Sequence, residues 1–194
     1  MTPESASKAQ EQILVLKISL DYTIPEVWRR VEVPASYTLG DLHSITQIAM
    51  GWDDQHIHEF SAGKKVRYSP GSGPGALDDT EDEDCVTVGE VLNRARKAIA
   101  YTYDFGDSWR HTIRREKAMP PAPGVTYPRC VGGERAAPPE DCGGICGYHW
   151  VLDVLAKEEG QRTESDKEFL DWLGRYDPEA FDLAKVNKAL AKLS

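Results

Sequence analysis

Two stretches, QILVLKISL at 12–20 and VWRRVEVP at 27–34, decide the fold class. Both alternate with period two, the pattern of a strand that turns one face to a core. In the first, Ile13, Val15 and the Leu and Ile residues after them follow a strand pattern; in the second, Val27, Arg29, Val31 and Val33 share one face and Trp28, Arg30 and Glu32 the other. The two read as an antiparallel hairpin.

Outward from the hairpin the period changes. TLGDLHSITQIAM (38–50) has helical spacing through Leu39, Leu42, Ile45 and Ile48/Ala49, with Thr38 as N-cap and Asp41 completing a capping box. HIHEF (56–60) returns to alternation. SPGSGPGALDDTEDED (69–84) has a Gly/Pro start and an acidic end, which predict a mobile loop. TVGEVLNRARKA (87–98) predicts a second capped helix from Thr87 and Glu90. It echoes TLGDL, as YTYDF echoes HIHEF, a short match that suggests a duplicated unit without establishing one.

AIAYTYDF and WRHTIRRE then read as two strands joined through Gly106, Asp107 and Ser108. An extended Pro-rich link follows. The Gly and Pro density of 127–147 argues against regular structure before Tyr148, and long irregular segments often carry function. Three helices close the chain, at about 147–157, 165–173 (capped by Ser165 with Glu168) and 182–192. The expected architecture is α+β: an antiparallel sheet of hairpin-connected strands, helices packed on one side, and a C-terminal helical cluster. Residues 1–11 read as a disordered tail and 12–194 as a single domain.

Composition narrows the function classes. With 194 residues, 40% hydrophobic and 28% charged, the chain can bury a core without staples. No apolar run approaches the roughly 20 residues of a membrane span, and the first twelve residues lack a signal-peptide core, so a soluble cytoplasmic protein without membrane partners is expected. The net charge of −9 does not favour nucleic acid as a partner. Local clusters such as Arg29/Arg30 and Arg110/Arg114/Arg115 read as solvated faces. Cys85, Cys130, Cys142 and Cys146 read as reduced thiols, since Cys130, Cys142, Cys146 and His149 match zinc-knuckle spacing poorly.

Chemistry concentrates in YTYDFGDSWRH (101–111). Its Asp-Phe-Gly triplet resembles the metal-binding aspartate of protein kinases, yet the Gly-rich loop, the strand lysine and the His-Arg-Asp loop are missing. His56 and His58 stand two apart on a strand and so share a face; such a pair chelates a metal when a third ligand comes from elsewhere. The hairpin offers His111 and Asp107. PPEDCGG (138–144) sets Glu140 and Asp141 ahead of a Gly-rich turn into a helix, where backbone N–H groups attract anions.

Together, VWRRVEVP, TLGDLHSITQIAMGWDDQHIHEF, YTYDFGDSWRH, YPRCVGGERAAPPEDCGG, GY and DPEAFD resemble the plasmid pRiA ORF-3-like family, from about residue 12 to the end. The resemblance implies an α+β domain of bacteria, archaea and mobile elements; some relatives are labelled transposon resolvases, which implies a DNA-transposition accessory role. Where relatives commonly carry a Cys before the Pro-Pro, this chain has Ala137.

The leading expectation is a binding or interaction module for a small molecule or protein, its site between the 101–111 hairpin and the 127–147 loop and lined by Tyr101, Tyr103 and Trp109. The alternatives are a DNA-transposition accessory and a metal-dependent hydrolase. In the latter, His58, Asp107 and His111 hold zinc or manganese while Asp104, Glu140 or Asp141 acts as general base.

Overall fold

The computed structural model describes residues 11–73 and 75–193. Nearly all of the expected 1–11 tail therefore lies outside the described residues. An eight-stranded sheet runs through the molecule in the order β5-β4-β3-β6-β7-β1-β2-β8. The strands are β1 (Ile13–Leu20), β2 (Val27–Pro34), β3 (His58–Ser61), β4 (Arg67–Ser69), β5 (Glu81–Asp82), β6 (Ala98–Tyr103), β7 (Trp109–Met119) and β8 (Arg129–Glu134). All neighbours pair antiparallel except β4 and β5. The helices are α1 (Leu39–Met50), α2 (Val88–Val91), α3 (Gly144–Ala156), α4 (Glu164–Leu173) and α5 (Leu183–Leu190). The architecture is α+β, with the expected C-terminal helices.

The 12–34 hairpin forms the centre. Ile13 pairs with Pro34 and Leu20 with Val27, and β1 is paired on its other side by the long β7. Leu16, Ile18, Val27, Val31 and Val33 are fully buried and meet Leu39, Leu42 and Ile45 of α1. Each such side chain contributes about 1.5–3 kcal/mol when removed from water, so the alternation in the sequence is what fixes this register.

Both Thr-capped starts form as read: Thr38 with Asp41 and Thr87 with Glu90 make complete capping boxes. The two caps meet in an antiparallel bridge, Thr38 to Thr87. The second helix is much shorter than its sequence predicts. It stops after four residues, because Asn93 turns its own side chain onto the N–H groups of Ala95 and Arg96 and diverts the backbone.

Four further differences concern the ends of the sheet and the helices. The segment from Arg129 to Glu134 is a strand, despite its glycines. Gly133 sits where a Cβ would come within 2.8 Å of Phe181, so glycine there is what lets the strand edge meet the C-terminal segment. The acidic end of the 69–84 loop joins the sheet as β5 and buries Glu83. The cap of α4 is Thr163 with Asp166, two residues earlier than the expected Ser165. Arg29, read as solvated, is 2% exposed. Its face of β2 is covered by α1 and the C-terminal segment, and its guanidinium is held by backbone carbonyls.

Candidate functional site

Three loops converge at one end of the sheet: 51–57 after α1, the 104–108 turn between β6 and β7, and 138–143 before α3. Their approach is set by a small group of hydrogen bonds. Trp52 Nε1 donates to the Pro138 carbonyl at 2.9 Å, and the Asp53 N–H donates to Glu140 Oε2 at 2.8 Å. The Tyr103 hydroxyl donates to Glu140 Oε1 at 2.5 Å and accepts from the Gln55 N–H at 2.9 Å. The Asp104 N–H reaches the Ile57 carbonyl, and the Gly143 N–H reaches Asp107 Oδ2. Gly144 completes the fit: it has φ +66°, and a Cβ there would stand 2.4 Å from the Asp107 carbonyl oxygen.

Within this junction His56, Asp104 and Asp141 converge. His56 Nε2 lies 3.3 Å from Asp141 Oδ1 and 3.8 Å from Asp104 Oδ2. One ligand-capable atom from each residue lies within 4.8 Å of the others, and among the described residues this is the single group of three or more His, Cys, Asp or Glu side chains so arranged. His56 Nε2 is sealed from solvent yet makes no hydrogen bond among the described residues, because neither carboxylate meets it in bonding geometry. Asp104, itself buried, is oriented by its other oxygen, which accepts from the Gly106 N–H at 2.9 Å. Asp104 and Asp141 both have positive φ, 53° and 58°, a conformation disfavoured for residues with a Cβ and least so for Asp and Asn.

The structure does not gather His58, Asp107 and His111. His58 directs Nε2 to the Glu83 carboxylate at 2.9 Å and stacks flat on His43, with ring centroids 3.5 Å apart. His111 is fully buried. Its Nδ1 faces the Trp109 carbonyl, its Nε2 has no partner, and the Trp52 ring packs edge-on against it. Burial holds the His111 pKa down at about 3, so the imidazole is neutral. Asp107 is occupied by the N–H of Gly143. The shared-face argument for His56 and His58 fails for a simple reason: β3 begins at His58, and His56 lies in the bend before it.

Tyr101, Tyr103 and Trp109 are core residues, exposed by 2% or less. Of the three, Tyr103 touches the junction, through its hydroxyl. Glu140 has both oxygens engaged, so it pins loops together rather than acting as a free base. Asp104 and Asp141 keep an oxygen directed at His56. Burial, followed by the nearby Asp107 charge, pushes the Cys142 thiol up to about 12, and burial raises Cys130 as well, so both thiols are protonated at neutral pH.

A cleft of about 540 Å³ opens beside His56, with His43, His58, Asp54 and Glu83 also on its walls. The Tyr101 hydroxyl accepts from Gln47 Nε2, so its proton is free for His43 Nδ1 at 2.8 Å; His43 then donates from Nε2 to Asp54 at 2.9 Å. Burial, reinforced by the neighbouring His58, holds the His43 pKa at about 4, in keeping with that neutral tautomer. Nothing in the sequence pairs His43 with His58; the helix period sets only His43 and Gln47 on one face of α1.

Comparison with known proteins gives a consistent picture. The family model described as "Plasmid pRiA4b ORF-3-like protein" matches residues 12–185. The uncharacterized protein y4hQ of Sinorhizobium fredii is 34% identical over 186 residues, covering 94% of this chain and 92% of that protein. The crystal structure of MM3350, a protein of unknown function from Methanosarcina mazei Go1, superposes with a TM-score of 0.80 at 37% identity, over 92% of this chain and 98% of that one.

Proposed function

The chain belongs to the plasmid pRiA4b ORF-3-like protein family, and from that premise we propose that it is a binding module organised around one divalent cation, with His56, Asp104 and Asp141 as ligands. The reading rests on one observation: a solvent-sealed imidazole nitrogen without a hydrogen bond, 3.3 and 3.8 Å from two carboxylate oxygens. Ligand atoms held at 2.0–2.2 Å around a tetrahedral ion stand about 3.3–3.6 Å from one another, so a small inward movement of Asp104 completes the set. One imidazole and two carboxylates suit zinc or manganese.

Three protein ligands leave coordination positions for water and for a bound molecule entering from the adjacent cleft. A cation there would lower the pKa of its water toward about 7, which makes hydrolysis the reaction such a centre supports best. Asp107 and His111 have no part in this set, and Glu140 serves to fix Asp141. The net charge of −9 opposes a role on DNA, and Arg29, one of the candidate cations, is buried away from the surface that a duplex would meet.

Equilibrium dialysis against Mn(II) or Zn(II), followed by elemental analysis, tests the assignment. One ion per chain is expected in the native protein and a loss of about one ion in His56→Ala and in Asp141→Asn, with a His111→Asn variant unchanged. Equal metal content in the native protein and the His56→Ala variant would defeat it.

A further inference from the structure

At the C-terminal end of α1 a second pocket, also about 540 Å³, lies between that helix, the 136–137 segment and α5. Its wall is largely apolar, formed by residues such as Ile48, Ala137, Val186 and Ala189, with Phe181 beside them. Arg29 also lines it. Arg29 is 2% exposed, and its guanidinium has no carboxylate within ion-pair distance among the described residues. Its Nε donates to the Ala49 carbonyl at 2.7 Å, and Nη1 donates to the carbonyls of Trp28 and Glu134 at 2.8 and 2.9 Å. Phe181 stacks on it at 4.4 Å. Nη2 has no protein acceptor among the described residues.

A buried cation with no counter-ion is costly, and its hydrogen bonds and the aromatic face offset only part of that. Ala49 lies in the last turn of α1, so the helix dipole supplies some negative potential and accounts for Nε and its position. It does not account for the open nitrogen or for the pocket beside it. The two acids on the wall do not neutralise Arg29 either: Asp182 accepts from the Lys185 N–H as the cap of α5, and Asp53 makes no ion pair with the guanidinium. Lys185 adds a second cation on the wall. Burial lowers the Arg29 pKa to about 10, against smaller raising contributions from the Cys130 thiol and the Tyr176 phenol and none from a carboxylate; it is still charged at neutral pH.

We propose that this pocket is a second ligand site, distinct from the His56 junction, that takes a small monocarboxylate with an apolar tail. The carboxylate would accept from Arg29 Nη2, and the tail would lie along the alanine and valine wall. One free guanidinium nitrogen, with Lys185 offset on the same wall by Asp53 and Asp182, suits a monoanion better than a phosphate dianion, and the volume falls in the ordinary range for small-molecule sites.

The experiment is an NMR titration with sodium octanoate below its micelle concentration, following the Arg29 Nε–H resonance and the backbone of α5. Octan-1-ol and inorganic phosphate serve as parallel probes. Saturable shifts centred on Arg29 and Val186 are expected with octanoate, at least ~tenfold weaker binding with octanol, and none that saturate with phosphate. Ala189→Phe, at a half-buried helix position facing the pocket, should keep the fold by circular dichroism and abolish octanoate binding; Arg29→Gln should weaken it to the octanol level if that variant folds. Absence of saturable shifts, equal affinity for octanol, a preference for phosphate, or octanoate binding that survives Ala189→Phe would each overturn the assignment.

Discussion

Two buried imidazoles make the molecule sensitive to acid for reasons that a single residue can carry. His43 and His111 are neutral in the fold, with pKa values held near 4 and 3 chiefly by burial, against about 6.5 in an unfolded chain. Below 6.5 the unfolded state therefore binds protons that the folded state refuses. Stability is full above that value and is lost as pH falls through the window down to about 4 for His43 and about 3 for His111. Between pH 7.5 and pH 5 each imidazole should cost on the order of 2 kcal/mol. Urea denaturation at the two pH values should show the combined loss. His43→Asn, which keeps an acceptor for the Tyr101 hydroxyl, should remove about half of it. An unchanged pH slope in that variant would mean that His43 is not the titrating group. His111 also marks a limit of sequence reading: the sequence offers it as a metal ligand, and nothing in the residue itself says that its face of β7 is sealed.

At the scale of elements, the readable parts are those whose pattern is local. The β1–β2 and β6–β7 hairpins, the Thr38 and Thr87 caps and the apolar stripe of α1 each rest on residues within a few positions of one another, and each forms as the period and capping rules require. The strand β8 is hidden, because its Gly133 is explained by a partner far along the chain, Phe181, and not by its own sequence. The same holds for the site. The segments 101–111 and 138–144 are visible as concentrations of chemistry, but the third contributor, the bend at His56, is chosen by where β3 begins. What unites the three loops is the clamp of Tyr103, Glu140 and Asp53. Tyr103→Phe should cost about 1–2 kcal/mol, since it removes the donor to Glu140 and leaves the Gln55 N–H without its acceptor. Because Asp141 adjoins Glu140, the same change should weaken cation binding by about tenfold, as loss of an orienting partner does in metal sites. Chemical denaturation and a Mn(II) titration on the same variant separate the two effects. Cation affinity equal to that of the native protein would show that the clamp does not position Asp141.

For the whole molecule, the proposed cation site and the proposed carboxylate pocket are each assembled from parts far apart in sequence. The sheet supplies the rigid frame; its ends are managed differently. At β8 the Asn187 side chain of α5 donates to the Cys130 carbonyl and accepts from its N–H, closing the edge as another strand would, while the opposite edge ends in the two acidic residues of β5. Linkage between site and stability is then a global property. An ion held by His56, Asp104 and Asp141 ties together three loops that are separate in the unfolded chain, so it binds the folded state selectively and must stabilise it by mass action. At a free concentration of about 100 times Kd the gain is about 2.7 kcal/mol, which for a chain of this size corresponds to a rise in Tm of about 5–10 °C. Mn(II) is the better probe, because it has little affinity for the cysteine thiols that an unfolded chain would offer to zinc. Scanning calorimetry with and without Mn(II) should show that rise in the native protein and none in Asp141→Asn or His56→Ala. A rise of the same size in those variants would place the ion elsewhere on the molecule, and no rise in the native protein at millimolar Mn(II) would leave the three side chains as a polar cluster without a metal.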